Sequence, residues 1–296
     1  VERVRIVIVG GGVAGAATAY GLARRGVGDV LILEREIFPG CHASRRNAAL
    51  IRRNLKTERD CTIALEASEW MKRPPADFPR DIGWRETGSL LLFDDEDARR
   101  VEKETAMQSR VGVPFERVDA REARRLQPLL EESAFRSAQW SFGDARIDVD
   151  ELLLGYLESA TRRGARVRCG VAVTGLLVEG DRCVGVRTRQ GDVRAEWVVN
   201  AAGGWANAVV NGHAAPAAIT PCRRTMLVTE PFGADSTRPF AWHDGLGFYF
   251  REDAGGLLWS PCDEVPAPDC DQRVDEVWVA ETRRRARRLV PSVADA

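Results

Sequence analysis

Along the first fifty residues the hydrophobic positions change period twice. Residues 4–9 are apolar except for Arg5 and mostly β-branched, which predicts a strand. Over 14–25 the apolar positions Ala16, Ala17, Tyr20 and Ala23 share one face of a helix, and 30–33 form a second apolar strand. The middle of the chain is more polar. A helix-period pattern over 58–73 is ended by Pro74-Pro75, 88–93 read as a strand, and the acidic cluster 94–97 opens a charged helix reaching about Arg110. Asp119 with Glu122 makes a capping box for a short helix that Pro128 stops. Apolar regularity returns with a helix over 150–163, carrying Leu152, Leu153, Tyr156 and Leu157 and closed by Gly164. Strands are expected at 165–169, 171–178, 183–188 and 193–200, then antiparallel strands at 220–230, 246–251 and 256–260, and a last helix over 274–289.

Between the first strand and its helix stand Gly10-Gly11-Gly12-Val13-Ala14-Gly15, and the second strand runs into Glu34. Strand, glycine turn, helix, strand and acid, in that order, are the parts of a dinucleotide-binding βαβ unit. Gly10 permits the tight turn, Gly12 lets a pyrophosphate approach the backbone, and Gly15 lets the helix pack closely on the strands. The amides at the helix start, those of Val13 and Ala14, then hold the diphosphate. Glu34 is placed to accept the hydroxyls of an adenosine ribose and to repel a 2′-phosphate, which disfavours NADP. After Pro39-Gly40 breaks the chain, Ser44 is expected to cap a further helix whose amides form a second anion site. The small-residue run Asn200-Ala201-Ala202-Gly203-Gly204-Trp205 offers a second close approach to backbone.

The 296 residues suit two domains, and 44% hydrophobic with 29% charged residues is an ordinary globular balance. The net charge of −1 supplies no global field for nucleic acid or acidic lipid. Arg283-Arg284-Arg285 and Arg287-Arg288 therefore read as a solvated helix end. No transmembrane run and no signal peptide stand out, so a cytoplasmic location is expected. Seven cysteines without a C-x-x-C pair and three histidines point away from a disulfide framework or a metal centre.

Ser44-Arg45-Arg46-Asn47-Ala48-Ala49 resembles the Ser-Gly-Arg-Asn/Ser-Ala-Gly stretch of the FAD-dependent amine and amino-acid oxidoreductases, the D-amino-acid oxidase or glycine oxidase family, with Arg45 and Ala49 where that family carries glycine. Val199-Asn200-Ala201-Ala202-Gly203 is similar to a later segment of the same family. The resemblance implies FAD and an α/β fold, in which a Rossmann-like FAD-binding domain (1–80 and 148–215) accompanies an antiparallel-sheet substrate domain (81–147 and 216–296). The cofactor contacts expected are Gly10, Gly12, Val13, Ala14, Gly15, Glu34, Arg35, His42, Ala43, Ser44, Arg46, Asn47, Ala48, Ala49, Val173, Ala201, Ala202, Gly203 and Trp205. Pro221-Cys222-Arg223-Arg224, Gly247-Phe248-Tyr249-Phe250 and Ser260-Pro261-Cys262-Asp263-Glu264, followed by Pro268-Asp269-Cys270-Asp271, look most like D-amino-acid dehydrogenases of the D-arginine dehydrogenase type. By position, Arg224 would bind the substrate carboxylate, Tyr249 would line the pocket and His42 would sit near the reacting amine. Ser89 stands where the D-arginine type has an acidic residue. The resemblance also implies a further segment beyond residue 296, with a second carboxylate-binding arginine and a glycine loop over the flavin, absent here or supplied by a partner chain.

These readings lead to a flavoenzyme that oxidises the Cα–N bond of a small amino acid, expected to be of D configuration, by hydride transfer to flavin. The electron acceptor stays open between oxygen, a quinone and a dye-like carrier. The alternatives are a sarcosine or glycine-type amine oxidase, a 2-hydroxy-acid oxidoreductase, a non-catalytic FAD-binding subunit, and an NAD-dependent dehydrogenase, which the second backbone contact segment disfavours.

Overall fold

The computed structural model describes residues 1–210, 212–213, 215–267 and 273–294; the Pro268-Asp269-Cys270-Asp271 motif lies outside the described residues. The chain divides into two compact units, Val1–Asn47 with Pro74–Gly83 and Asp148–Pro221, and Ala48–Arg73 with Trp84–Ile147 and Cys222–Ala296. Residues 48–73, which the sequence placed with the nucleotide-binding part, thus belong to the second unit.

The first unit is built on six strands, β1 (Glu2–Val9), β2 (Val30–Leu33), β3 (Arg166–Arg168), β4 (Val173–Glu179), β5 (Arg182–Thr188) and β6 (Val193–Asn200), in the spatial order β3-β2-β1-β6-β5-β4. β1 lies between two parallel neighbours, β2 and β6, while β5 and β4 add an antiparallel meander. Burial on both faces explains why β1 and β2 read as almost unbroken apolar runs rather than alternating ones. One face packs Ile6, Ile8 and Ile32 against α1 (Val13–Arg24) and α2 (Val149–Arg162) through Ala16, Ala19, Leu153, Leu157 and Ala160. The other packs Val7, Val9, Leu31 and Leu33 against Val186, Val193 and Val209, the last from α3 (Ala206–Val210). α2 starts where the Asp148 carboxylate accepts the amide of Glu151 at 3.0 Å, an N-cap that satisfies one orphan donor.

The second unit carries a seven-stranded sheet in the spatial order Leu227–Val228, Gly256–Ser260, Phe248–Asp253, Phe240–His243, Ser89–Phe93, Ser137–Ser141, Glu116–Asp119. Every pairing is antiparallel except that of Phe240–His243 with Ser89–Phe93. Leu90, Leu92, Phe248, Phe250 and Trp259 form its core with Ala286 and Leu289 from the helix Glu276–Leu289. The continuous strand expected over 220–230 is broken into Cys222–Arg223 and Leu227–Val228. Asp263 causes the break: its carboxylate accepts both the amide of Thr225, at 2.6 Å, and its hydroxyl, at 3.0 Å, so this residue has no ladder donor left.

Ala49 has φ 54°, in the left-handed region, at the place where the resembling family carries glycine. That conformation costs an alanine about 1–2 kcal/mol, more than the ~0.5–1 kcal/mol entropic cost of glycine. Ala49→Gly is therefore expected to raise stability by about 0.5–1 kcal/mol, read as a higher urea midpoint. A lowered midpoint would show that the 3.2 Å bond from the Ile147 amide to the Ala49 carbonyl does not fix this backbone.

Candidate cofactor groove and active-site residues

The first unit contains a groove of about 510 Å³ at the C-terminal ends of β1, β2 and β6. It is the crevice where the strand order places ligands in an open α/β sheet. Its floor is the glycine turn. Gly10 has φ 107°, and a Cβ there would stand 2.9 Å from the Ala201 carbonyl carbon, so the first and second backbone approaches touch each other. A Cβ on Gly12 would sit 2.8 Å from the Ser44 hydroxyl, and one on Gly15 would strike the Gly10 carbonyl. Only glycine keeps this cradle open.

Ser44 does not start a helix of its own. Residues 41–47 fold as turns in which the amides of Arg45 and Arg46 both donate to the His42 carbonyl, and the Ser44 hydroxyl instead accepts the amide of Val13 at 3.0 Å. The second anion site expected there is thus replaced by a side chain that caps α1 from a loop 31 positions away. The other first-turn amides of α1 have no acceptor within the helix and remain for a phosphate.

Glu34 is 7% exposed and its orientation is fixed from two sides. One carboxylate oxygen accepts the amide of Gly11 at 2.7 Å and the other that of Glu36 at 2.9 Å. A carboxylate has about four acceptor positions, so two remain for a vicinal diol. Beyond it, Glu36 accepts from Arg35 Nε and lies against His42 Nε2, both at 2.9 Å; the paired His42 and Arg35 hold its carboxyl below the usual range.

Of the residues singled out from the sequence, Gly10, Gly12, Val13, Ala14, Glu34, Arg35, His42, Ala43, Ser44, Val173, Ala201, Ala202, Gly203 and Trp205 line this one groove. Gly15 lies behind its wall. The Arg46 side chain is exposed, and the Asn47 amide donates to the Ser44 carbonyl at 2.8 Å. Ala48 and Ala49 belong to the second unit, where their carbonyls accept from Arg251 Nε and the Ile147 amide. His42, expected beside a reacting amine, is placed at the Glu34 end of the groove, its ring 4.6 Å from that of Trp205.

The second unit holds the other candidates. Tyr249 is 4% exposed, stacked on Trp242 at 5.1 Å, and burial raises its phenol above the usual value although the Ser260 hydroxyl bonds it. Arg224 donates to Glu264 at 2.7 Å and to the Asp263 carbonyl at 3.2 Å. Ser89 is buried and donates to Asp144 at 2.7 Å.

The sequence reading passed over Arg52, although a charged pair directly after the apolar Leu50-Ile51 marks it. Its guanidinium lies 4.4 Å from the centre of the Trp242 ring, on the stack that includes Tyr249. It donates to Asn54 Oδ1 at 3.1 Å, and no described carboxylate comes within ion-pair distance. Burial pushes this guanidinium down, against the pull of Asp144 and Asp244. Cys262, held at φ 55°, feels Arg224, Arg285 and Arg52 together, yet burial still pushes its thiol up to about 11. Among the described residues no His/Cys/Asp/Glu group could hold a metal ion, and no helix is long and apolar enough to cross a membrane.

A glycine cradle at a helix start, an anchored ribose acid and a second backbone approach fit an adenine dinucleotide. The model of the FAD-dependent oxidoreductase family (DAO) matches residues 5–296. The chain belongs to this family. FAD is accordingly the cofactor that the groove residues would hold. The solved structure of L-proline dehydrogenase from P. horikoshii superposes with a TM-score of 0.90 at 26% identity, covering 98% of this chain and 78% of that one. Among curated relatives, the mitochondrial pyruvate dehydrogenase phosphatase regulatory subunit of Mus musculus is 26% identical over 90% of this chain, and the mitochondrial dimethylglycine dehydrogenase of Homo sapiens 27% over 94%. The chain spans only 31% and 32% of the lengths of these two relatives.

Proposed function

We propose that this flavoprotein oxidises the Cα–N bond of a small amino acid, with D-amino acids as the first substrates to try. The observation that carries this reading is the position of Arg52 on the Trp242–Tyr249 stack, a cation with no carboxylate in ion-pair reach among the described residues. A half-buried guanidinium bonded only to neutral oxygens of Asn54 favours an anionic ligand, and a substrate carboxylate supplies one. Arg224, already tied to Glu264, adds positive field at the edge of the same cluster. The Tyr249 hydroxyl stays protonated because burial raises it, so it donates to a substrate oxygen. Bound FAD supplies the two-electron acceptor for the hydride leaving Cα. The ammonium must first lose a proton, to solvent water, to give the lone pair that drives the hydride out, and the resulting imine is hydrolysed by water to the keto acid and ammonia. His42, engaged with Glu36 and Trp205, serves the adenosine end in this reading and not the amine.

The family resemblance and the names of its relatives support amine and amino-acid chemistry, with L-proline and dimethylglycine as named substrates of two of them. Ser89, committed to Asp144, offers no acid for a cationic side chain and argues for a neutral substrate. The test is anaerobic bleaching of the visible flavin bands by a panel of D-amino acids, glycine, sarcosine, proline and 2-hydroxy acids. Reduction by a neutral D-amino acid is the expected result, and Arg52→Met should then raise KM about tenfold while changing kcat less, the loss of one charge-assisted hydrogen bond. Reduction by 2-hydroxy acids alone would overturn the Cα–N assignment. The regulatory-subunit relative motivates a second reading, a non-catalytic FAD-binding chain, which predicts bound flavin that no member of the panel reduces.

A further inference from the structure

Two backbone segments wall the Glu34 end of the groove, the loop after β2 and the turn after β6, and three side chains join them. The Arg35 guanidinium carbon lies over Trp205, 3.8 Å from the ring centre, and the His42 ring meets the same indole at 4.6 Å with a 56° tilt. Glu36 fixes both partners, since one of its oxygens takes Arg35 Nε and His42 Nε2 together. Its own carbonyl accepts the amide of Gly170, at the end of β3. Trp205 is anchored separately: the Asn200 side chain bridges the turn, from the Ala202 amide at 3.3 Å to the Ala206 carbonyl at 2.8 Å. All three stacked side chains line the groove and none is needed to close the hydrophobic core of the unit.

We propose that the Arg35–His42–Trp205 stack is a latch over the adenosine half of FAD, which must part before the cofactor can leave. The inference rests on the assignment of FAD to this groove. A stack of this kind is a cation–π contact, strongest when water is excluded, and an adenosine seated beside Glu34 excludes it from one side. The latch therefore governs retention of the cofactor and not the chemistry of the flavin ring.

The experiment is the rate of FAD release from the holoenzyme on dilution, followed as the rise of free-flavin fluorescence. Trp205→Ala and Arg35→Ala are each expected to speed release about tenfold, with the visible spectrum of the bound fraction unchanged. The double variant should release no faster than the quicker single one, because both remove the same contact. Trp205→Phe keeps an aromatic face and should stay near the wild-type rate, which separates the stack from a general loosening of the fold. Trp197→Ala, at an exposed position on β6, is the control that should change nothing. Wild-type rates in both alanine variants, or fully additive effects, would overturn the latch. A wild-type chain that holds no FAD would instead overturn the cofactor assignment, and the latch with it.

Discussion

Asp144→Ala is expected to lower stability by about 3–5 kcal/mol, read as a fall in melting temperature on the order of 10 °C. Asp144 is completely buried and accepts the Ser89 hydroxyl at 2.7 Å, the Arg53 amide at 3.1 Å and Arg53 Nε at 3.5 Å. Arg53 is itself 8% exposed, and one of its terminal nitrogens has no acceptor and packs over Gly143. Removing the carboxylate leaves a buried cation, a hydroxyl and an amide without partners. Such a pair is costly to break even where it contributes little against an apolar substitute. The double variant Asp144→Leu with Arg53→Met should therefore recover much of the loss. A single-variant loss below about 1 kcal/mol would show that water reaches the site and the pair is not desolvated.

Glu34→Ala is expected to weaken FAD binding about 100-fold, measured by titration of the flavin fluorescence. If the ribose lies against Glu34 as proposed, the change removes two charge-assisted bonds to its hydroxyls, each about 1.5–3 kcal/mol when buried, part of which water recovers. It also frees the Gly11 and Glu36 amides that orient the glycine turn and the loop after β2. Glu34→Gln separates the two contributions, because the amide oxygen still accepts one backbone N–H while the charge is lost. Unchanged affinity in both variants would mean that the ribose does not lie against this residue.

How much was legible in advance follows from how local each signal is. The glycine turn, α1 and Glu34 stand within one short stretch, and their spacing alone reports a βαβ unit. Ser44 misled because a hydroxyl caps any amide within reach: the sequence suggests the next turn, and the fold supplies Val13. The strands Ser137–Ser141 and Phe240–His243 were missed because four or five residues carry too little alternation to show a period, and their partners lie far along the chain. Arg52 was missed for a related reason. Its meaning comes from the Trp242 face beneath it, 190 positions away in sequence, which no local pattern records.

The placement of β6 beside β1 has a consequence for how this protein is made. β1 leaves the ribosome well before one of its two parallel neighbours, Val193–Asn200, which follows only after both of the second unit's first two segments have been synthesised. Through that interval β1 has one unpaired edge, and the turn carrying Ala201 to Trp205 does not yet exist. Flavin loading consequently waits for the residues after β6 that line the groove, and shortage of the vitamin would leave behind a chain already past both parallel neighbours of β1 with an empty groove, not a stalled early intermediate.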